Sequence, residues 1–193
     1  MPVIELEPTT TLDAVNMMLA SVGEAPVNQI PETGVTEATI ARDILYQVNK
    51  EVQANGAWFN TEEDFPLSPD QDGYINLPLN TLEVDASDPS IDVVMRGSKL
   101  YDRKNRTYIF TEAVNLNITF LLSFEELPQT ARTYIAIRAA RRYQKNFLGS
   151  DTLHSLSEAD EAYAYAAFRR SKIKNSDLRM TDYQPVFSIV NRR

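Results

Sequence analysis

The chain's one histidine, His154, stands beside Asp151 and Ser155, the residue types of a base, an orienting acid and a nucleophile. Geometry defines such a triad, and three residues on one helical turn do not form the required line. His154 therefore reads as a first-turn residue near a helix N-terminus. A zinc site would need a second histidine or a cysteine, and the sequence has neither. Carboxylates are plentiful, at Glu62-Glu63-Asp64, Asp70, Asp72, Asp85, Asp88 and Asp92. Glycoside hydrolysis would use two of them at a defined separation and in unlike environments, and the spacing singles out no pair. Asp70-Gln71-Asp72-Gly73 has the start of a calcium loop, but the twelfth position is Thr81 in place of a bidentate acid. Gly97 and Gly149 are isolated, so no phosphate-cradling loop is expected. No cofactor or metal is expected.

The most pointed polar signal is basic. Arg138, Arg141, Arg142 and Lys145 fall at i, i+3, i+4 and i+7, on one face of a helix. Arg169 and Arg170, with Lys172 and Lys174, form a second cluster near the end of the next helix. Two readings stand: a solvated face with charges suited to helix C-termini, or a surface for something acidic. The acidic candidates are nucleic acid, a partner's carboxylates, or the acidic half of another copy. Sequence-specific DNA readout is not expected, since the chain is acidic and has no helix-turn-helix or zinc finger; non-specific DNA contact remains open. Near the end, Tyr183, Val186, Phe187, Ile189 and Val190 make 177–193 richer in large apolar residues than a disordered end. This segment is expected to be an extended tail that docks on a neighbour.

The elements that must position these residues can be read from 193 residues with 43% apolar and 24% charged content, ordinary globular usage. Cysteine is absent, which removes disulfides and thiolate chemistry and suits a reducing compartment. No apolar run approaches the ~20 residues of a membrane helix, and Met1 to Pro8 has acids at Glu5 and Glu7 without a base, so neither a membrane partner nor a signal peptide is expected. The net charge of −8 is unevenly spread: 17 acids face 4 bases in 1–100, against 10 acids and 15 bases in 101–193. Such polarity suits attraction between unlike ends of copies or partners.

Thr9, Thr10 or Thr11 can cap a first helix carrying Leu12, Val15, Met18, Leu19 and Val22, closed by Gly23. Thr36 begins a second through Ile40, Ile44, Leu45, Val48 and Val52, with Thr39 where a capping-box acid would stand. From 58 to 123 the period shortens: 74–77, 82–84, 91–95, 99–101, 108–110 and 116–120 read as strands of an antiparallel meander or small barrel. Helical spacing returns after Pro128, with Ala131, Tyr134, Ile135, Ala139 and Tyr143 in the third helix and a fourth running to about Ile173. The expected architecture is α+β: a four-helix bundle from 1–57 and 124–176, with the antiparallel β domain 58–123 inserted.

Taken in order, several stretches resemble the tail tubular protein A family of short-tailed, podovirus-type phages, the adaptor or gatekeeper proteins. They are Ala14-Val15-Asn16, Leu19-Ala20-Ser21-Val22-Gly23-Glu24-Ala25-Pro26-Val27, Ala41-Arg42, and Gly56-Ala57-Trp58-Phe59-Asn60-Thr61-Glu62-Glu63. Leu100-Tyr101-Asp102, Glu126-Leu127-Pro128, Tyr134-Ile135 with Ala139 and Arg142, and Phe147-Leu148-Gly149 follow. Family members often carry an aromatic pair directly after the glycine, where this chain has Ala57; if a strand begins there, the offset reverses the face Trp58 occupies. The resemblance implies a homo-oligomeric ring of twelve copies in the virion tail, assembled in the host cytoplasm. The ring would lie between the capsid portal and the tail nozzle (tail tubular protein B), with DNA passing through it. It implies a structural protein and no enzyme. The alternative is a cell-envelope glycan hydrolase, alone or as a second activity, supported only by the acidic β region.

Overall fold

The computed structural model describes residues 7–148 and 151–180, with side chains over 7–147 and 158–175. Tyr183, Val186, Phe187, Ile189 and Val190, and the side chain of His154, lie outside the described residues. The fold is mixed α+β, and the chain divides into two compact units, Met1–Asn49 with Ser123–Arg193, and Lys50–Leu122.

In the first unit, α1 (Thr11–Ser21) starts at a capping box. The Thr10 hydroxyl accepts the Asp13 N–H at 3.1 Å, and the Asp13 carboxylate accepts the Thr10 N–H at 2.9 Å. It ends in a Schellman closure: Gly23, at φ 84°, donates to the Ala20 carbonyl, and Glu24 donates to Leu19. The second helix, α2 (Glu37–Gln53), begins with a box in which a hydroxyl replaces the usual acid. Thr39 Oγ1 accepts the Thr36 N–H at 2.9 Å while Thr36 Oγ1 accepts the Thr39 N–H at 3.3 Å. The box that lacks an acid in sequence is thus closed by Thr39.

A short 3-10 turn, Phe124–Glu126, leads into α3 (Gln129–Leu148), and α4 is Asp151–Met180. α4 outruns its expected end at Ile173 because nothing from Lys174 to Met180 is a glycine or proline, so the first residues of the expected tail are helical. α3 packs against both α1 and α4. Its faces divide as helical spacing requires: Ala131, Ile135, Ala136, Ala139 and Tyr143 are buried, as are Val15, Met18 and Leu19 of α1 and Ala164 and Phe168 of α4. Arg132 ties the 3-10 turn down, donating to the carbonyls of Leu127 at 2.7 Å, Thr9 at 3.0 Å, and Glu125.

The second unit contains β1 (Thr61–Leu67), β2 (Thr81–Ala86), β3 (Val93–Arg96), β4 (Lys99–Asp102) and β5 (Val114–Phe120). These form an antiparallel three-stranded sheet in the order β1-β5-β2 and a β3-β4 hairpin, which corrects the expectation of a meander. The last strand is central because its period of two is the cleanest: Val114, Leu116 and Ile118 are buried and Asn115 is exposed. β1 escaped the sequence reading because acids and Pro66 are poor strand formers, and a bulge between Glu62 and Phe65, with Asp64 at φ 54°, breaks its alternation. Residues 74–77 and 108–110 make isolated bridges in place of full strands (Tyr74 with Ile109, Asn76 with Lys99), yet Ile75 and Leu77 still enter the core with Val84, Val93, Leu100 and Leu116. Trp58 sits in a turn ahead of β1, so no strand face is assigned to it. Gly97, at φ 64°, stands first in the two-residue β3-β4 turn, where a type II′ geometry favours glycine.

Two buried amides hold the second unit where the chain enters and leaves it. Gln53, fully buried, donates to the Leu122 carbonyl and accepts the Leu122 N–H, both at 2.9 Å. Asn60 accepts the Ala57 N–H at 2.8 Å and donates to the carbonyls of Gln53 at 3.1 Å and Phe120 at 2.8 Å. In water these groups would be satisfied by solvent, so once buried they require such partners.

Candidate functional site

The basic stripe on α3 lies on one side of a hollow of about 240 Å³ lined by Arg138, Arg141, Arg142, Lys145 and Glu161. The helix period brings the four cations together, and the antiparallel α4 answers part of their charge. Arg141 forms ion pairs with Glu161 at 2.6 Å and Glu158 at 2.8 Å. The hydrogen bond Arg141 donates to Glu161 raises the Arg141 pKa above its ordinary value, with burial acting the other way. Arg138 lies 4.0 Å from Glu161 and donates to the Tyr134 hydroxyl at 2.9 Å. Tyr134 in turn stacks on Phe168 at 5.6 Å between ring centroids and packs against Tyr165. This aromatic layer fixes the height of the guanidinium above the helix pair. Glu158 and Glu161 thus answer part of the stripe's charge, so the hollow is a partly neutralised surface and not a bare basic face.

Arg169 and Arg170 do not join it. Both are exposed, eight or nine residues along α4 from Glu161, which at 1.5 Å rise per residue is about 13 Å away along the axis. The Arg170 guanidinium donates to its own helix at Ala166 O, 3.3 Å. A larger cleft of about 700 Å³ opens in the same unit, lined by Met17, Ile137, Ala140, Tyr163 and Ala164 with Arg141 and Asp160 at its polar side. Sequence reasoning named neither the cleft nor Glu158 and Glu161. A signal existed: in the sequence, positions 141 and 158 are equally far from the midpoint of 149–150, which lies between the two helical stretches.

Three acids of the second unit, Asp70, Asp88 and Asp102, are engaged in turns. Asp70 Oδ1 accepts the N–H groups of Asp72 at 3.0 Å and Tyr74 at 2.9 Å, and Oδ2 accepts from Asn76 at 2.8 Å, which explains why the loop has the look of a calcium site. Asp88 receives the Ser90 N–H and Asp102 the Asn105 N–H, each at 2.8 Å. In each of these three the backbone donor is the chief cause that lowers the pKa. Glu126 is lowered in the same way by Ser123. A general acid for glycoside hydrolysis needs the opposite displacement. Among the described residues no group of three or more His, Cys, Asp or Glu is placed to hold a metal, and no helix is long and apolar enough to cross a membrane.

Fold and surface together define a mixed α+β protein whose ionisable groups serve turns, helix caps and inter-helix ion pairs. Its family follows from comparison: residues 12–178 match the model of the tail tubular proteins, and the chain belongs to that family. Tail tubular protein A of Klebsiella phage KP34 is similar, with 32% identity over 154 residues that cover 80% of this chain and 81% of that protein. The chain is accordingly a structural component of a phage tail.

Proposed function

We propose that this tail protein is the ring-forming adaptor that joins the capsid portal to the tail nozzle and forms part of the channel through which DNA leaves. In this reading twelve copies assemble, the four helices act as one bundle toward the portal with the segment 177–193 docking on it, and the β domain meets tail tubular protein B. The protein acts by binding and has no catalytic role. The observation that supports the reading best is the partly neutralised hollow on α3, where Arg138, Arg141, Arg142 and Lys145 line one space and Glu158 and Glu161 hold Arg141. Such a surface attracts a polyanion or an acidic partner without becoming a tight non-specific DNA trap.

The test is the double reversal Arg142→Glu with Lys145→Glu, which leaves the Arg141 ion pairs in place. Particles carrying it should lose assembly or leak DNA while the purified chain stays folded by circular dichroism. If particles form and retain DNA at wild-type levels, the hollow is only solvated surface.

A further inference from the structure

In the second unit, Lys50–Leu122, twelve acids face six bases, and five of the six bases fall between Arg96 and Arg106. They belong to the β3-β4 hairpin and the turn after it. Aromatic rings order the first of them. The Arg96 guanidinium lies 3.6 Å from the Tyr101 ring centroid, the Lys99 ammonium 3.4 Å from that of Tyr74, and Tyr101 meets Tyr108 edge-on at 4.7 Å. Tyr108 and Ile109 are exposed around them. Asp70 faces Lys99, Asp92 lies 3.6 Å from Arg103, and Asp102 faces Lys104, so five bases meet three acids along the hairpin, with Arg96 at its Gly97 end and Arg106 in the turn beyond the other end.

Nucleic acid fits this surface poorly. The Tyr101 and Tyr74 rings already carry a cation on one face, Ile109 offers nothing to phosphate, and the unit as a whole is negative. Arginine and tyrosine beside apolar surface are instead the composition of a protein interface. The acidic counterpart lies on the same unit: Glu62, Glu63 and Asp64 are consecutive and exposed on β1, a strand at the edge of its sheet. We infer that the β3-β4 face of one copy docks on the acidic β1 edge of the next. The contact joins unlike surfaces, so it propagates head to tail and closes into a ring when the rotation permits. This inference rests on the ring reading above and names the surfaces that would make the ring.

The experiment uses the full chain and measures self-association by native mass spectrometry and sedimentation, alone and with portal. Arg96→Glu with Lys104→Glu, and separately Glu62→Lys with Asp64→Lys, should each weaken self-association about 10-fold or more. Mixing the two variants should restore it, because each reversed surface then meets its complement in the other chain. Trp58 fluorescence and circular dichroism confirm that each variant is folded. Full association of either variant alone, or failure of the mixture to recover, overturns the inference while leaving the ring reading intact. A wild-type chain that never associates, even with portal, overturns both. Loss of DNA binding by the first variant with self-association unchanged would assign the hairpin to nucleic acid and overturn it as well.

Discussion

Asn60→Ala removes a side chain that is 3% exposed and makes three hydrogen bonds, to the Ala57 N–H and to the carbonyls of Gln53 and Phe120. At about 1 kcal/mol net per bond the direct loss is about 3 kcal/mol, and the buried Ala57 N–H left without its acceptor adds roughly 1–2 more. A unit of about 70 residues has on the order of 4–10 kcal/mol of stability, so the substitution should take half of it or more. Trp58, the only tryptophan in the chain, lies two residues from Asn60 and within this unit. With a urea dependence of about 1 kcal/mol per M, the midpoint of its fluorescence transition should fall by about 3 M or more. Asn60→Asp adds a control with a sign. Burial beside two carbonyl oxygens raises the carboxyl pKa in the folded state, so this variant should be most stable below about pH 4 and weaken as pH rises through the raised value. A midpoint shift under about 0.5 M for Asn60→Ala, or an Asn60→Asp variant indifferent to pH, would refute the hydrogen-bonding account of this corner.

The wild-type chain should behave in the opposite way toward acid. The pKa values of Asp70, Asp88 and Asp102 are lowered by turn amides, so their contribution is present above the unfolded carboxylate value near 4 and is lost as pH falls below it. Asp70→Asn, which keeps an acceptor for the Tyr74 N–H, should flatten the fall in thermal midpoint between about pH 4 and pH 2.5 relative to wild type. Glu161→Gln should weaken the α3-α4 pair by about 1 kcal/mol, because Arg141 keeps Glu158. The same change should tighten binding to heparin or DNA and steepen its salt dependence by about one charge, measured by elution or titration at several ionic strengths. Unchanged salt dependence would mean that Glu161 does not neutralise the hollow.

Legibility in the sequence followed the strength of local rules. Helices α1 and α2 were readable because Thr10, Gly23 and Thr36 act on their immediate neighbours, and the period of Val15, Met18 and Leu19 reports one buried face. β5 was readable for the same reason. β1 was not, because its place at a sheet edge is set by pairing with β5 some fifty residues away, which overrides the poor propensity of Glu62, Glu63, Asp64 and Pro66. The α3 stripe could be placed on one face from spacing alone. The ion pairs it makes with Glu158 and Glu161 depend on the helix pairing, as does the separation of Arg169 and Arg170 from it. The turn carboxylates show the converse: Asp70-Gln71-Asp72-Gly73 had the composition of a ligand loop, and only the direction of its N–H groups shows that it folds on itself.

The central claim is that this tail protein works by seating as a ring on the portal. Electron microscopy and native mass spectrometry of the purified full chain mixed with portal test it most directly. The account predicts a closed ring of chains bound to the portal, twelve by the family resemblance, absent when Arg142 and Lys145 are reversed. A chain that stays monomeric and ignores the portal at every concentration tried would contradict it.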